Sequence, residues 1–264
     1  MSKLGIKAVT NLFQGFGALV SRQIKDWYKS TTLFALSLVQ PVIWIVLYGE
    51  SFPKVALPGI SSNYFSFLSV GMLSFVVLFA SIFSGMAIVF DRQSGFLKKM
   101  LVSSVSRGNI IMSYVVSTVL KALVQVAILL IVAVLLGMQT SNITTVGLIA
   151  TFIAEALLAI GLSAFFTMIG ILSADPNVQL AVMSFISLPL LFASNSLFPT
   201  SSMPDWLQWI AKANPLSYTS DAARQTLLGS SGMTNLTFDF TFLVIFAVVF
   251  SSLSVILSLK FLSK

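Results

Sequence analysis

The sequence predicts an all-α membrane protein with six transmembrane helices, and three observations carry that prediction. Hydrophobic residues make up 57% of the 264-residue chain and charged residues 9%, with a mean hydropathy of +0.98, whereas soluble domains carry about 25% charged residues. Apolar runs of about 20 or more residues recur without strand alternation, and in lipid the backbone must satisfy its own hydrogen bonds as a helix or a closed barrel. Lys and Arg gather in alternate connections between those runs.

Residues 1–30 precede the first apolar run. Val9, Leu12, Phe13, Phe16, Val20, Ile24 and Trp27 recur there at helical spacing, while Lys7, Asn11, Gln14, Arg22, Lys25 and Lys29 take other faces. This is the pattern of a helix lying on the membrane surface, although Gly15 and Gly17 weaken it. Such a helix is either a topological anchor or one that also touches a cytosolic partner. No short apolar core with a small-residue cleavage site precedes the first run, so that span is expected to stay.

Six spans follow, at 31–49, 64–90, 110–136, 146–174, 178–198 and 238–261. Several exceed the length that crosses the hydrocarbon, so they tilt or run on into the interface. Pro41 and Pro189 are expected to kink the first and fifth. With the N-terminus inside, the inner segments hold eleven of the 15 Lys and Arg residues: Lys3, Lys7, Arg22, Lys25, Lys29, Arg92, Lys98, Lys99, Arg107, Lys260 and Lys264. The outer segments hold Lys54, Lys212 and Arg224, and Lys121 falls within a span. This asymmetry places both termini in the cytoplasm. The net charge of +7 therefore reflects topology and some attraction to anionic lipid, since nucleic-acid binding would need a soluble basic face.

Two connections are richer than linkers. In the inner one, DRQSGFLKKMLVSSVSR from Asp91 to Arg107, the residues Phe96, Leu97, Met100 and Leu101 form one apolar helical face with Lys98 and Lys99 turned elsewhere. It is either a solvated basic loop obeying the charge rule or a short helix able to dock in a cleft. In the outer one, FPTSSMPDWLQWIAKANPLSYTSDAAR from Phe198 to Arg224, Pro204 suits the first turn of a helix that Asn214 and Pro215 must end. A second helix then runs toward Gly229. Trp206, Trp209 and Tyr218 suit the headgroup layer, as an aromatic belt or as part of a gate.

Two ionisable residues fall at membrane depth, Lys121 and Glu155, where a charge costs about 2.5–3.5 kcal/mol on insertion scales. They pair with each other, or Lys121 snorkels to the inner interface while Glu155 lies against polar neighbours or faces a cationic substrate. The chain has no Cys and no His, which removes disulfides, thiol nucleophiles and the usual metal ligands and general bases. Two N-x-[ST] triplets, at Asn142 and Asn235, fall on segments placed outside.

The two connections resemble those of the permease subunits of ABC-2 type exporters, a family that includes daunorubicin and polysaccharide export permeases. Asp91, Arg92, Gly95, Leu97, Leu101, Ser103, Val105, Ser106 and Arg107 match the inner pattern, with Ser104 where proline is usual and Gln93 and Lys98 where Glu is frequent. Phe198, Pro199, Pro204, Trp206, Leu207, Asn214, Pro215, Leu216, Tyr218, Asp221, Ala222 and Arg224 match the outer one.

The resemblance implies one transmembrane domain over 1–264, with a cytoplasmic interfacial helix at 1–30, a coupling loop at 91–109 and an extracellular helical segment at 199–237. Asp91, Arg92, Gly95, Phe96, Leu97, Lys98, Met100, Leu101 and Arg107 are then the residues coupled to an ATPase. Phe198, Pro199, Trp206, Asn214, Pro215, Tyr218, Asp221 and Arg224 form an outer gate or interface. No G-x-x-x-x-G-K-[ST] phosphate loop is present, so ATP and Mg are expected on two partner ABC ATPase chains and no cofactor on this one. A second permease copy, identical or related, and membrane lipids complete the implied partners, in the plasma membrane. The implied substrate is an amphiphilic drug or lipid, the alternative a polysaccharide or glycolipid. From other classes, the rivals are a non-transporting scaffold and an intramembrane lipid-modifying enzyme, for which Asp91 and Asp175 supply too few carboxylates.

Overall fold

The computed structural model describes residues 3–51, 63–103, 105–173, 175–230 and 232–261. Every regular element among them is helical. Ten α-helices run in order: α1 Lys3–Lys29, α2 Thr31–Ser51, α3 Tyr64–Gln93, α4 Phe96–Val102, α5 Arg107–Leu135, α6 Thr145–Leu172, α7 Pro176–Phe192, α8 Asp205–Ala213, α9 Pro215–Leu227 and α10 Leu236–Phe261. The predicted outer cation Lys54, Ser104 and the side chains of Val9, Leu12 and Phe13 lie outside the described residues.

Helix boundaries follow local chemistry. Asn63, Ser106, Thr144 and Asp175 each accept a hydrogen bond from the backbone N–H two or three residues on, capping α3, α5, α6 and α7. Pro176 and Pro215 occupy first-turn positions, where a missing N–H costs nothing. Pro204 occupies the N-cap position of α8 without a side-chain capping bond, one position before the first turn expected of it. Gly229, at φ +64°, closes the turn after α9 as expected of a C-terminal glycine.

The helices α3 and α6 pack on each other at the centre, with α5, α9 and α10 around them and α1 laid along α5. Phe75, Leu78, Leu129, Leu158 and Phe166 belong to the main core cluster and are almost fully buried. Among the described residues four helices, α3, α5, α6 and α10, are long and apolar enough to cross a membrane, and α2 and α7 add shorter apolar stretches at Leu38–Leu47 and Pro176–Phe192. The predicted fifth span needs correction at its end. Its helix stops at Phe192 rather than 198, and residues 193–199 turn back in non-helical backbone that is buried at Ala193, Ser194, Asn195, Ser196 and Leu197.

Candidate functional site

Asp91 stands near the end of α3, just before the chain breaks at Gly95. That glycine adopts φ +72°, a left-handed conformation that interrupts the helix between α3 and α4. The Asp91 carboxylate accepts two hydrogen bonds from Arg22 of α1, at 2.5 and 3.3 Å, and one from the Tyr114 hydroxyl of α5. Arg22 also lies 4.0 Å over the Phe96 ring. Burial works against the Arg22 cation, but the hydrogen bond and charge of Asp91 outweigh it and hold the guanidinium above its ordinary range. Arg92 donates to the Ile171 carbonyl at 3.1 Å, satisfying the last turn of α6. One cluster thus joins α1, α3, α4, α5 and α6.

The apolar face of α4 is spent inside this chain. Leu97 and Met100 are 3% and 4% exposed and belong to a core cluster with Ile88, Ile110, Ile111 and Tyr114, against which Phe96 and Leu101 pack. They are therefore not available as the docking face the periodicity offered. Burying each contributes about 1.5–3 kcal/mol to holding α4 in place. What α4 presents outward is Lys98, Lys99 and Val102, the last 90% exposed. Arg107 opens α5 on the same side, half-buried.

At the opposite end of α3 a second polar cluster is buried. Arg224 of α9 is 3% exposed and donates to three carbonyls: Phe67 at 3.1 and 3.2 Å, Asn195 at 2.6 Å and Ser196 at 2.8 Å. Its guanidinium centre lies 3.4 Å over the Phe67 ring. Burial works against its charge, with Asp221 opposing, and a guanidinium remains a cation in a protein. A Cβ at Gly71 would stand 1.9 Å from the Ser196 carbonyl oxygen, so the bare glycine is what admits the non-helical turn against α3. Arg224 is thus an interior cation, a correction to its assignment as an outer-loop charge.

The neighbours of Arg224 complete the turn. Asn214 donates to the Leu190 and Ala193 carbonyls at 2.7 and 2.8 Å and caps α9 at the Leu216 N–H. Asp221 accepts from the Met233 and Thr234 N–H groups at 2.9 and 3.1 Å, closing the loop before α10. Tyr218 is 5% exposed, stacks on Phe242 at 4.0 Å and donates to the Lys212 carbonyl, so it is a core residue rather than part of an aromatic belt. Trp206 and Trp209 are 66% and 74% exposed, Phe198 is exposed, and Pro199 and Pro215 are buried.

Glu155 is fully buried and accepts from Ser74 at 3.0 Å; Ser74 accepts from Ser220 at 3.3 Å, and Ser220 and Ser196 are 2.8 Å apart. A file of hydroxyls therefore joins α6, α3, α9 and the turn after α7. Lys121 does not meet Glu155. Its charge instead interacts with those of Asp26 and Arg22 on α1. Asn142 of the first N-x-[ST] triplet donates its side-chain nitrogen to the Leu228 carbonyl at 2.7 Å, so that atom is committed to the fold. Sequence reasoning missed Arg22, Tyr114, Asn195, Ser196 and Gly71, because each acts through partners distant in the chain.

Long apolar helices packed on an apolar core, with a buried polar cluster near one end of α3 and a short cationic helix bolted to the other, define an integral membrane protein. The chain belongs to the ABC-2 type transporter family, whose model matches residues 14–228. It is 34% identical to the putative transport permease ycf38 of Porphyra purpurea, over 81% of this chain and 74% of that one. It is 32% identical to ycf38 of Cyanophora paradoxa, over 82% and 76%. It is also 22% identical to the daunorubicin resistance ABC transporter permease protein DrrB1 of Streptomyces coeruleorubidus, over 74% and 68%.

Proposed function

We propose that this chain is the permease subunit of an ATP-driven exporter, spanning the membrane six times with both termini in the cytoplasm. Two copies, or one copy and a related chain, would assemble with two cytosolic ABC ATPases. The observation that carries this reading is the construction of α4. Its inward face is fixed by Leu97, Met100 and the Arg22–Asp91–Tyr114 cluster, and its outward face offers Lys98, Lys99 and Val102. A partner pushing on that outward face moves α1, α3, α5 and α6 with it. Productive coupling further requires that the partner bind α4 unequally in its two nucleotide states, since equal binding shifts nothing.

An amphiphilic drug or lipid-like molecule is the substrate class proposed, supported by the relative named for daunorubicin resistance. The lipid-modifying enzyme loses ground because both of its acids are engaged: Asp91 by Arg22 and Tyr114, Asp175 by capping α7. The test is affinity purification of the full chain from its native membrane. An ABC ATPase should be recovered with it, and Lys98→Glu with Lys99→Glu should lower that recovery while the permease stays monodisperse. Nucleotide-independent transport by the chain alone would overturn the proposal.

A further inference from the structure

The helix α1 carries two adjoining depressions. One is an open groove of about 420 Å³ between α1 and α5, lined by Phe16, Val20, Ile24 and Tyr28 on one stripe of α1 and by Val116 of α5. The other, of about 470 Å³, is a wide-open concavity on the surface of α1 alone, lined by Ala18, Ser21, Arg22, Lys25, Asp26 and Lys29. Ser21 and Lys25 border both, so an apolar trough opens directly into a cationic notch.

Charge in the notch is unbalanced. Arg22 is spent on Asp91 at 2.5 Å and approaches Asp26 at 3.8 Å. Neither Lys25 nor Lys29 forms an ion pair among the described residues, and both are exposed.

The two glycines of α1 differ in a way that bears on the trough. A Cβ at Gly15 would meet Val105 at 2.6 Å, so close packing against the segment after α4 accounts for that residue. At Gly17, which lines the trough, a Cβ would meet nothing within 4 Å. A glycine inside a helix with no crowding to relieve lowers helix stability for no packing reason. Gly17 thus borders the trough in open space that a larger side chain could fill.

We infer that this composite groove binds one anionic phospholipid of the cytoplasmic leaflet, with an acyl chain in the trough and the phosphate at Lys25 and Lys29. Apolar burial along the chain and cation attraction at the head act together, the combination that turns weak surface adsorption into retained binding. The inference rests on the proposed topology, which puts α1 at the inner interface.

The experiment reconstitutes the full chain in vesicles of phosphatidylglycerol or of phosphatidylcholine, extracts it in mild detergent and measures retained lipid by native mass spectrometry. Phosphatidylglycerol should be retained and phosphatidylcholine lost. Lys25→Gln with Lys29→Gln should weaken retention by about 25-fold, at about fivefold per lysine near an anionic surface. Gly17→Trp should abolish it by filling the trough, and Gly17→Ala should keep it. Lys98→Gln with Lys99→Gln, an equal loss of charge elsewhere, should leave it unchanged. Equal retention of both lipids, or equal loss in the Lys98 and Lys99 variant, would each overturn the site. Because the chain has no cysteine, Lys29→Cys labelled with an impermeant maleimide reports the topology separately. Labelling from outside intact cells sinks the topology, whereas lost lipid specificity with correct labelling sinks the lipid site alone.

Discussion

The bond between Arg22 and Asp91 is the contact on which the attachment of α1 to the α3–α4 corner turns, and its strength can be measured by a double-mutant cycle. The side chains are 30% and 15% exposed, between a surface pair and a buried one. Exposed pairs measure about 0.2–1 kcal/mol, while hydrogen bonds to charged groups contribute about 1.5–3 kcal/mol. With two such bonds at 2.5 and 3.3 Å and partial solvent screening, the interaction energy should be about 1.5–3 kcal/mol.

The single variants should be unequal. Asp91→Asn leaves Arg22 with Asp26 at 3.8 Å, the Phe96 ring at 4.0 Å and an amide oxygen still able to accept. Arg22→Ala leaves a mostly buried carboxylate with Tyr114 alone, so it should cost more. The four tryptophans report thermal unfolding of the detergent-solubilised chain by fluorescence. At about 2–4 °C per kcal/mol for a chain of this size, the double variant should unfold about 3–12 °C above the sum of the single losses. Additivity within about 0.5 kcal/mol, or Asp91→Asn proving the more damaging variant, would refute the assignment.

Three further outcomes follow from the geometry. Leu97→Asp should lower yield and unfolding temperature by burying a charge in the α4 core cluster, whereas Val102→Asp should leave stability within about 0.5 kcal/mol and reduce ATPase recovery; parallel expression and pull-down assays check both. Gly71→Ala should disrupt folding or stability more than Gly17→Ala, because its Cβ meets the backbone oxygen of Ser196 at 1.9 Å while the one at Gly17 meets nothing within 4 Å; size-exclusion thermostability distinguishes them. Glu155→Gln should cost less than Glu155→Ala, since an amide oxygen can still accept from Ser74 and fill the same volume; the same melts decide it.

Much of the helical order was legible because it is written locally. Capping residues, prolines and Gly95 set boundaries that need no distant partner, and the Asn214–Pro215 pair ends α8 and starts α9 where expected. The end of α7 was not legible, for a physical reason. Hydropathy cannot tell a helix from a buried turn whose carbonyls are satisfied from elsewhere, and here Asn214 and Arg224 supply those donors from more than twenty residues away. The face of α4 was visible as a periodicity, but a periodicity does not say what covers it. Leu97 and Met100 meet this chain's own α3 and α5 cluster, which leaves the lysines and Val102 outward. Arg22 looked like one more interfacial cation because its partner lies 69 residues on.

The two clusters share one element, and this bears on how the proposed coupling would work. The helix α3 carries Asp91 and Arg92 near its last turn and Phe67, Gly71 and Ser74 in its first half. From Phe67 to Asp91 is about 36 Å at 1.5 Å per residue, and α3 is continuous helix throughout, with most of its length buried. Displacement of its α4 end must therefore move, as one rod, the surface on which Arg224, Ser196 and Ser220 rest. Those contacts are discrete hydrogen bonds in a water-poor interior, so they are made or broken rather than gradually stretched. Being on a shared rod does not by itself establish coupling between the ends, which needs an element with two arrangements that both sites bias. The non-helical turn at 193–199 is the segment best placed to be that element. It is held by side chains from α9 and by the absence of a side chain at Gly71, and regular helix ends on either side of it.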